Sequence, residues 1–152
     1  MLKKWIVVAD RAGALIFASV PGAQKLELVA TLEHPDGRLR NHDLDADAPG
    51  RSHDRHGAGR HSVEPQQSAT RHDSAKFAHE VSERLETARV QSRFDQLILI
   101  APPRFLGELR AVLSDPTRGL VSHSVAKELA NLPRAELVST LENFVSELDA
   151  TR

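Results

Sequence analysis

The run Pro49-Gly50-Arg51-Ser52-His53-Asp54-Arg55-His56-Gly57-Ala58-Gly59-Arg60-His61 concentrates guanidinium groups, imidazoles and glycines in thirteen positions. Around it, Arg38, Arg40, Arg51, Arg55, Arg60 and Arg71 lie in one Gly-containing stretch. Guanidinium forks bind phosphate oxygens bidentately, and exposed backbone amides add further donors. The competing reading is that these arginines pair with Asp36, Asp43, Asp45, Asp47, Asp54, Glu64 and Asp73, which are just as close in sequence. Six bases against seven acids leave no charge surplus of the kind that marks an ordinary RNA-binding patch. The stretch also lacks an aromatic residue on which a base could stack. Arg104 is a separate candidate, because Ala101-Pro102-Pro103-Arg104 follows a continuously apolar run. Open α/β sheets bind ligands at the carboxyl ends of such buried strands.

Three other chemistries are weaker. His53, His56 and His61 with Asp54 have the residue types of an open zinc site, but Arg51, Arg55 and Arg60 surround them with positive charge, so no metal is expected. A two-metal nuclease needs clustered carboxylates. Asp10 ends the first apolar run whereas Asp95 begins the fourth, which predicts opposite edges of a sheet and makes Asp10 a turn residue. A Gly-x-Ser-x-Gly elbow is absent, and with no cysteine there is no Cys nucleophile, disulfide or iron–sulfur cluster. No cofactor is expected, and no catalytic residue is assigned.

The elements that must position these groups follow from hydrophobic pattern. The chain has 152 residues, a mass of 16.7 kDa and a formal net charge of -1, the size of one domain spanning 1–152. Arg outnumbers Lys by 15 to 5, a bias that suits phosphate and carboxylate partners and that a GC-rich genome also produces. No apolar run approaches the ~18 residues of a membrane span, and Asp10 and Arg11 end the first run too early for a signal peptide. A cytoplasmic protein without a membrane partner is expected.

Trp5-Ile6-Val7-Val8-Ala9 and Leu97-Ile98-Leu99-Ile100-Ala101 are continuously apolar, as in central strands covered on both faces. Ala14 to Ser19 reads as a second strand. Leu26, Leu28, Ala30 and Leu32 alternate along 26–33, which predicts a half-exposed third strand with these four on one side. Residues 34–73 hold six of the eight His, four Gly and three Pro, with Leu39, Leu44 and Val63 as their only large apolar residues. Such a segment predicts a long irregular loop. Phe77, Val81, Leu85 and Ala88 then mark a helix, Pro102-Pro103 opens a second through Phe105, Leu106, Leu109 and Leu113, and Leu120 to Val125 reads as a fifth strand. Pro133 starts a last helix with Leu137, Leu141, Phe144, Val145 and Leu148 on one face. The predicted order is βββ, loop, αβαβα. The fold class is α/β with a five-stranded mixed sheet, order 3-2-1-4-5, in a ribonuclease H-like arrangement. A flavodoxin-like sheet is the alternative, and it would need a helix where Pro21 to Lys25 leaves no room.

Asp36-Gly37-Arg38-Leu39-Arg40, the Gly- and His-rich run, and Ala101-Pro102-Pro103-Arg104-Phe105-Leu106, in that order, resemble the bacterial family named for being required for attachment to host cells. That family is grouped with bacterial relatives of the central domain of archaeal and eukaryotic class-one release factors, which implies a ribonuclease H-like sheet. In those factors a His-Gly-x-Gly-Gly-Gln-Ser loop precedes a long helix and promotes hydrolysis of peptidyl-tRNA. Here His56-Gly57-Ala58-Gly59-Arg60-His61-Ser62 is similar, with Arg60 in place of the second Gly and His61 in place of the Gln. Arg60 does not easily adopt the backbone conformations open to a glycine pair. The resemblance therefore implies contact with tRNA or ribosomal RNA through His56, Gly57, Gly59, Arg60 and His61, without release activity, and residue type and position add Arg51, Arg55 and Arg104 as phosphate-binding candidates. The expected function is a non-catalytic or weakly catalytic module that docks on the translation apparatus, with ribosome or tRNA as partner. The alternatives are a protein-interaction module whose loop folds on a protein partner and supports attachment indirectly, and a metal-dependent hydrolase.

Overall fold

The computed structural model describes residues 2–20, 25–33 and 73–150. Five strands form one sheet: β1 Lys4–Asp10, β2 Gly13–Ser19, β3 Leu26–Glu33, β4 Gln96–Ala101 and β5 Val121–Ala126. Helix α1 covers 73–90 of the described residues, followed by α2 Pro103–Val112, α3 Asp115–Gly119 and α4 Arg134–Ala150. The strand order is β3-β2-β1-β4-β5. β1 pairs antiparallel with β2 and parallel with β4, and β4 pairs parallel with β5. The two apolar runs are therefore adjacent, parallel central strands, as expected.

Alternation along β1 and β4 divides the core between two faces. Trp5, Val7, Ala9, Leu97, Leu99 and Ala101 point to the face covered by α1 and α2, where they meet Phe77, Val81, Leu85, Phe105 and Leu109. Ile6, Val8, Ile98 and Ile100 point to the other face, which Leu137 and Leu141 of α4 cover, with Phe144, Val145 and Leu148 packed alongside. A strand buried on both sides gives no alternation in its sequence, which is why these two read as unbroken apolar runs. On the first face the Phe77 and Phe105 rings lie 5.9 Å apart, and the Ser82 hydroxyl donates to the Val112 carbonyl at 3.0 Å.

The third strand departs from its expected pattern. Ile16 pairs with Ala30 and Phe17 with Leu28, so Val29 is an extra residue in a bulge. The bulge reverses the alternation. Ala30 and Leu32 pack on the α1 and α2 face, whereas Leu26 packs on the α4 face and Leu28 stands opposite Phe17. The four residues do not share one side, because an inserted residue shifts every later side chain to the opposite face. β5 is irregular as well: Leu97 pairs with Val121 and Ile98 with His123, which leaves Ser122 between them. Both edge strands of the sheet are thus kinked, a feature that hinders pairing with another chain.

A second departure is α3, which the apolar pattern did not announce. Ser114 accepts from the Thr117 amide at 3.3 Å, and Arg118 donates to Asp115 at 2.7 Å and to the Leu113 carbonyl at 2.8 Å. Ser114-Asp115-Pro116 is a capping signature. Five residues are too few to show hydrophobic periodicity. The Glu86 carboxylate of α1 completes this junction by accepting from the Thr117 hydroxyl at 3.3 Å and from Arg89 Nε at 2.8 Å. The Ser114 hydroxyl, then Arg89 and Thr117, hold its carboxyl below the usual carboxylate range.

Candidate functional site

β1, β4 and β5 are parallel, so their carboxyl ends form one end of the sheet. Asp10 closes β1 there. Its Oδ1 accepts from the amides of Ala12 at 2.8 Å and Gly13 at 3.1 Å, which bends the chain into β2. Asp95 lies at the opposite end, where its Oδ2 accepts from the Lys3 amide at 2.9 Å, immediately before β1. Seven strand residues at ~3.3 Å each separate the two carboxylates by roughly 20 Å. They cannot share a metal pair whose ions stand only ~4 Å apart. Asp10 is a turn residue, as its sequence position indicates.

Arg104 stands at the carboxyl end in the first turn of α2, after β4 ends at Ala101. The turn before it is built by Pro102 and Pro103; proline suits the first helical position because it has no amide proton to leave unbonded. The Arg104 side chain is exposed and has no ion-pair partner among the described residues. The described residues that flank the Arg/His/Gly segment reach this same end. Glu33 pairs with Gly13, next to the Asp10 turn. Asp73 begins the described part of α1, whose last residues lie at the amino end of the sheet beside Lys3. Seventeen steps of ~1.5 Å carry that helix about 25 Å, the full length of β1, so its start is level with the strands' carboxyl ends. There the Ser74 hydroxyl donates to Glu108 Oε1 of α2 at 2.8 Å, which fixes α1 against α2. Ser74 is buried, and neither it nor Glu108 carries a sequence signal that would have joined them, since the bond depends on how the two helices pack.

Arg51, Arg55, His56, Gly57, Gly59, Arg60 and His61 lie outside the described residues, as do His53 and Asp54 of the weighed metal site. Of the sequence-based candidates, Arg104 is the one whose position is described. Among the described residues no group of three His, Cys, Asp or Glu converges as metal ligands would, and no helix is long and apolar enough to cross a membrane.

No curated protein matches the chain. Among solved structures, an archaeal translation termination factor, aRF1, is similar with a TM-score of 0.42 and 15% sequence identity, over 97% of this chain and 40% of the factor's chain. The chain thus spans less than half the length of that protein. The model of the family described as "Protein required for attachment to host cells" matches residues 5–141, from the second residue of β1 to Leu141 of α4, and so includes the segment between β3 and α1. The chain belongs to the host-attachment protein family.

Proposed function

We propose that this host-attachment family member is a docking module for the translation apparatus, binding ribosomal or transfer RNA phosphate through its Arg/His/Gly segment 34–73 and Arg104. The observation that supports the reading is the convergence at one end of the sheet: Glu33, Asp73 and the exposed Arg104 all stand at the carboxyl ends of the parallel strands. Glu33 and Asp73 flank the segment in the chain, so both its stems leave from the end that carries Arg104. Arg51, Arg55 and Arg60 supply charge-assisted donors, and Gly57 and Gly59 let the backbone approach a phosphate closely. Chemistry on the bound RNA is not part of the reading, because Arg60 and His61 replace the Gly and Gln of the release-factor motif. Co-sedimentation with ribosomes tests it. The intact chain is expected in the ribosomal pellet at low salt, and a chain with 36–71 replaced by a short Gly/Ser linker is expected in the supernatant. Equal pelleting of both would defeat the proposal.

A further inference from the structure

We propose that Lys76, Lys127 and Arg134 join Arg104, at the carboxyl ends of the parallel strands, as backbone-phosphate contacts for RNA. This inference rests on the docking reading above. Four different elements bring these cations to one end. Lys76 lies in the first turn of the described part of α1, Arg104 in the first turn of α2, and Lys127 directly follows Ala126, the last residue of β5. Arg134 opens α4. That helix runs back along the sheet until Lys4, at the start of β1, pairs with Asp149, so its first residue is level with the strands' carboxyl ends. All four side chains are exposed and lack an ion-pair partner among the described residues.

Many of the other described cations are spoken for. Lys3 donates to the Ser92 carbonyl, Lys4 pairs with Asp149, Arg89 with Glu86, Arg110 with the Ser124 hydroxyl, and Arg118 with Asp115. The same end carries carboxylates too, but they are differently committed. Asp10 closes its own turn, Glu108 takes the Ser74 hydroxyl, and Glu33 and Asp73 are engaged by other groups. Glu80, one helical turn from Lys76, and Glu128 and Glu136 are exposed acids beside the four cations. The end is therefore no broad positive field that would steer any polyanion. It offers separate ammonium and guanidinium donors, and phosphodiester oxygens are acceptors that need only such local contacts. Lys76 and Arg104 belong to the helices on one face of the sheet and Arg134 to the helix on the other, so the four donors straddle the end of the sheet.

The test compares two triple variants that remove the same net charge. One is Lys76→Gln, Lys127→Gln, Arg134→Gln. The other is Lys25→Gln, Arg84→Gln, Arg93→Gln, at exposed positions away from this end. Binding of unfractionated tRNA to the intact protein is followed by filter retention across a salt series. At ~0.7 per phosphate contact, the first triple should flatten the log–log salt slope by about 2, and the second should leave it unchanged. Equal flattening by both would overturn the inference, because net charge alone would then account for the effect. If neither triple changes the slope while replacement of the Arg/His/Gly segment abolishes binding, the inference is refuted and the docking reading stands. If the segment-replaced protein still binds and the first triple removes that binding, the inference stands and the segment's role falls. Absence of binding by the wild type refutes both.

Discussion

Ser92 sits at the end of α1 with φ 58, the non-glycine residue with positive φ among those described. The conformation is imposed by how the helix stops. The Arg93 amide donates to the Ala88 carbonyl at 2.9 Å and the Ser92 amide to the Arg89 carbonyl at 2.9 Å, the paired bonds of a Schellman ending. That ending requires a left-handed residue at the position Ser92 occupies. The Ser92 carbonyl is also held by Lys3 Nζ, so the turn aligns α1 with the strand it packs beside. A side chain in the left-handed region costs about 1–2 kcal/mol. Glycine removes that cost but loses about 0.5–1 kcal/mol more backbone entropy on folding. The balance makes Ser92→Gly more stable by roughly 0.5–1 kcal/mol, or about 1–4 °C in Tm for a chain of this size. Ser92→Val should move the opposite way by at least as much, since a branched Cβ is worse accommodated there. Thermal unfolding of the three proteins followed by far-UV circular dichroism checks both signs. A lower Tm for Ser92→Gly together with an unchanged one for Ser92→Val would refute the argument.

Leu137 is fully buried on the sheet face that α4 covers, so Leu137→Ala should cost about 2–5 kcal/mol in urea unfolding, against under ~0.5 kcal/mol for the exposed Ser139→Ala. Glu86 has a lowered carboxyl pKa in the folded protein, so its contribution is complete above its ordinary value near ~4.3 and fades as pH falls through the lower folded value. The Tm gap between wild type and Glu86→Gln should accordingly be constant at neutral pH and close on acidification below ~4, as a Tm series across pH would record. Arg60→Ala should weaken tRNA or ribosome binding with a smaller salt slope, whereas a self-paired loop would leave RNA binding untouched. A free imidazole gains charge as pH falls through about 6.5, so binding through His61 should strengthen at mildly acidic pH, and His61→Gln should remove the dependence. Programmed ribosomes should show no peptide release on addition of the protein; release that disappears on mutating Gly59 or His61 would make it an enzyme-like factor.

Much of the architecture is local information. Trp5 to Ala9 and Leu97 to Ala101 carry no polar residue on either face, the pattern of central strands in a sheet covered on both sides. With the short links between the first three strands, they were enough to order the sheet as 3-2-1-4-5. The spacing of Phe77, Val81, Leu85 and Ala88, and of Leu137, Leu141, Phe144 and Leu148, likewise identified two helices by the faces they bury. The resemblance to the host-attachment family was also legible, because it rests on short stretches of residue identity that survive without any fold.

What the sequence could not decide depends on contacts between residues far apart in the chain. Period-two alternation looks the same whether or not a bulge interrupts the strand, so only pairing with β2 showed that Val29 is extra and that Leu28 and Ala30 face opposite sides. Helix α3 is the exception: its cap and Arg118 bonds are local, but five residues are too few to show a period, so the Ser114-Asp115-Pro116 signature was its one sequence signal. The bond from Lys3 to the Ser92 carbonyl follows from the meeting of the α1 end with β1, and the Ser74 to Glu108 bond from the packing of α1 on α2. The candidate site shows the same division. Residue types alone mark Arg104 as a possible phosphate ligand, but gathering Lys76, Arg104, Lys127 and Arg134 at one end required four elements to finish or begin at the same level of a parallel sheet. That level is set by strand register and helix length together, which no stretch of the sequence specifies by itself.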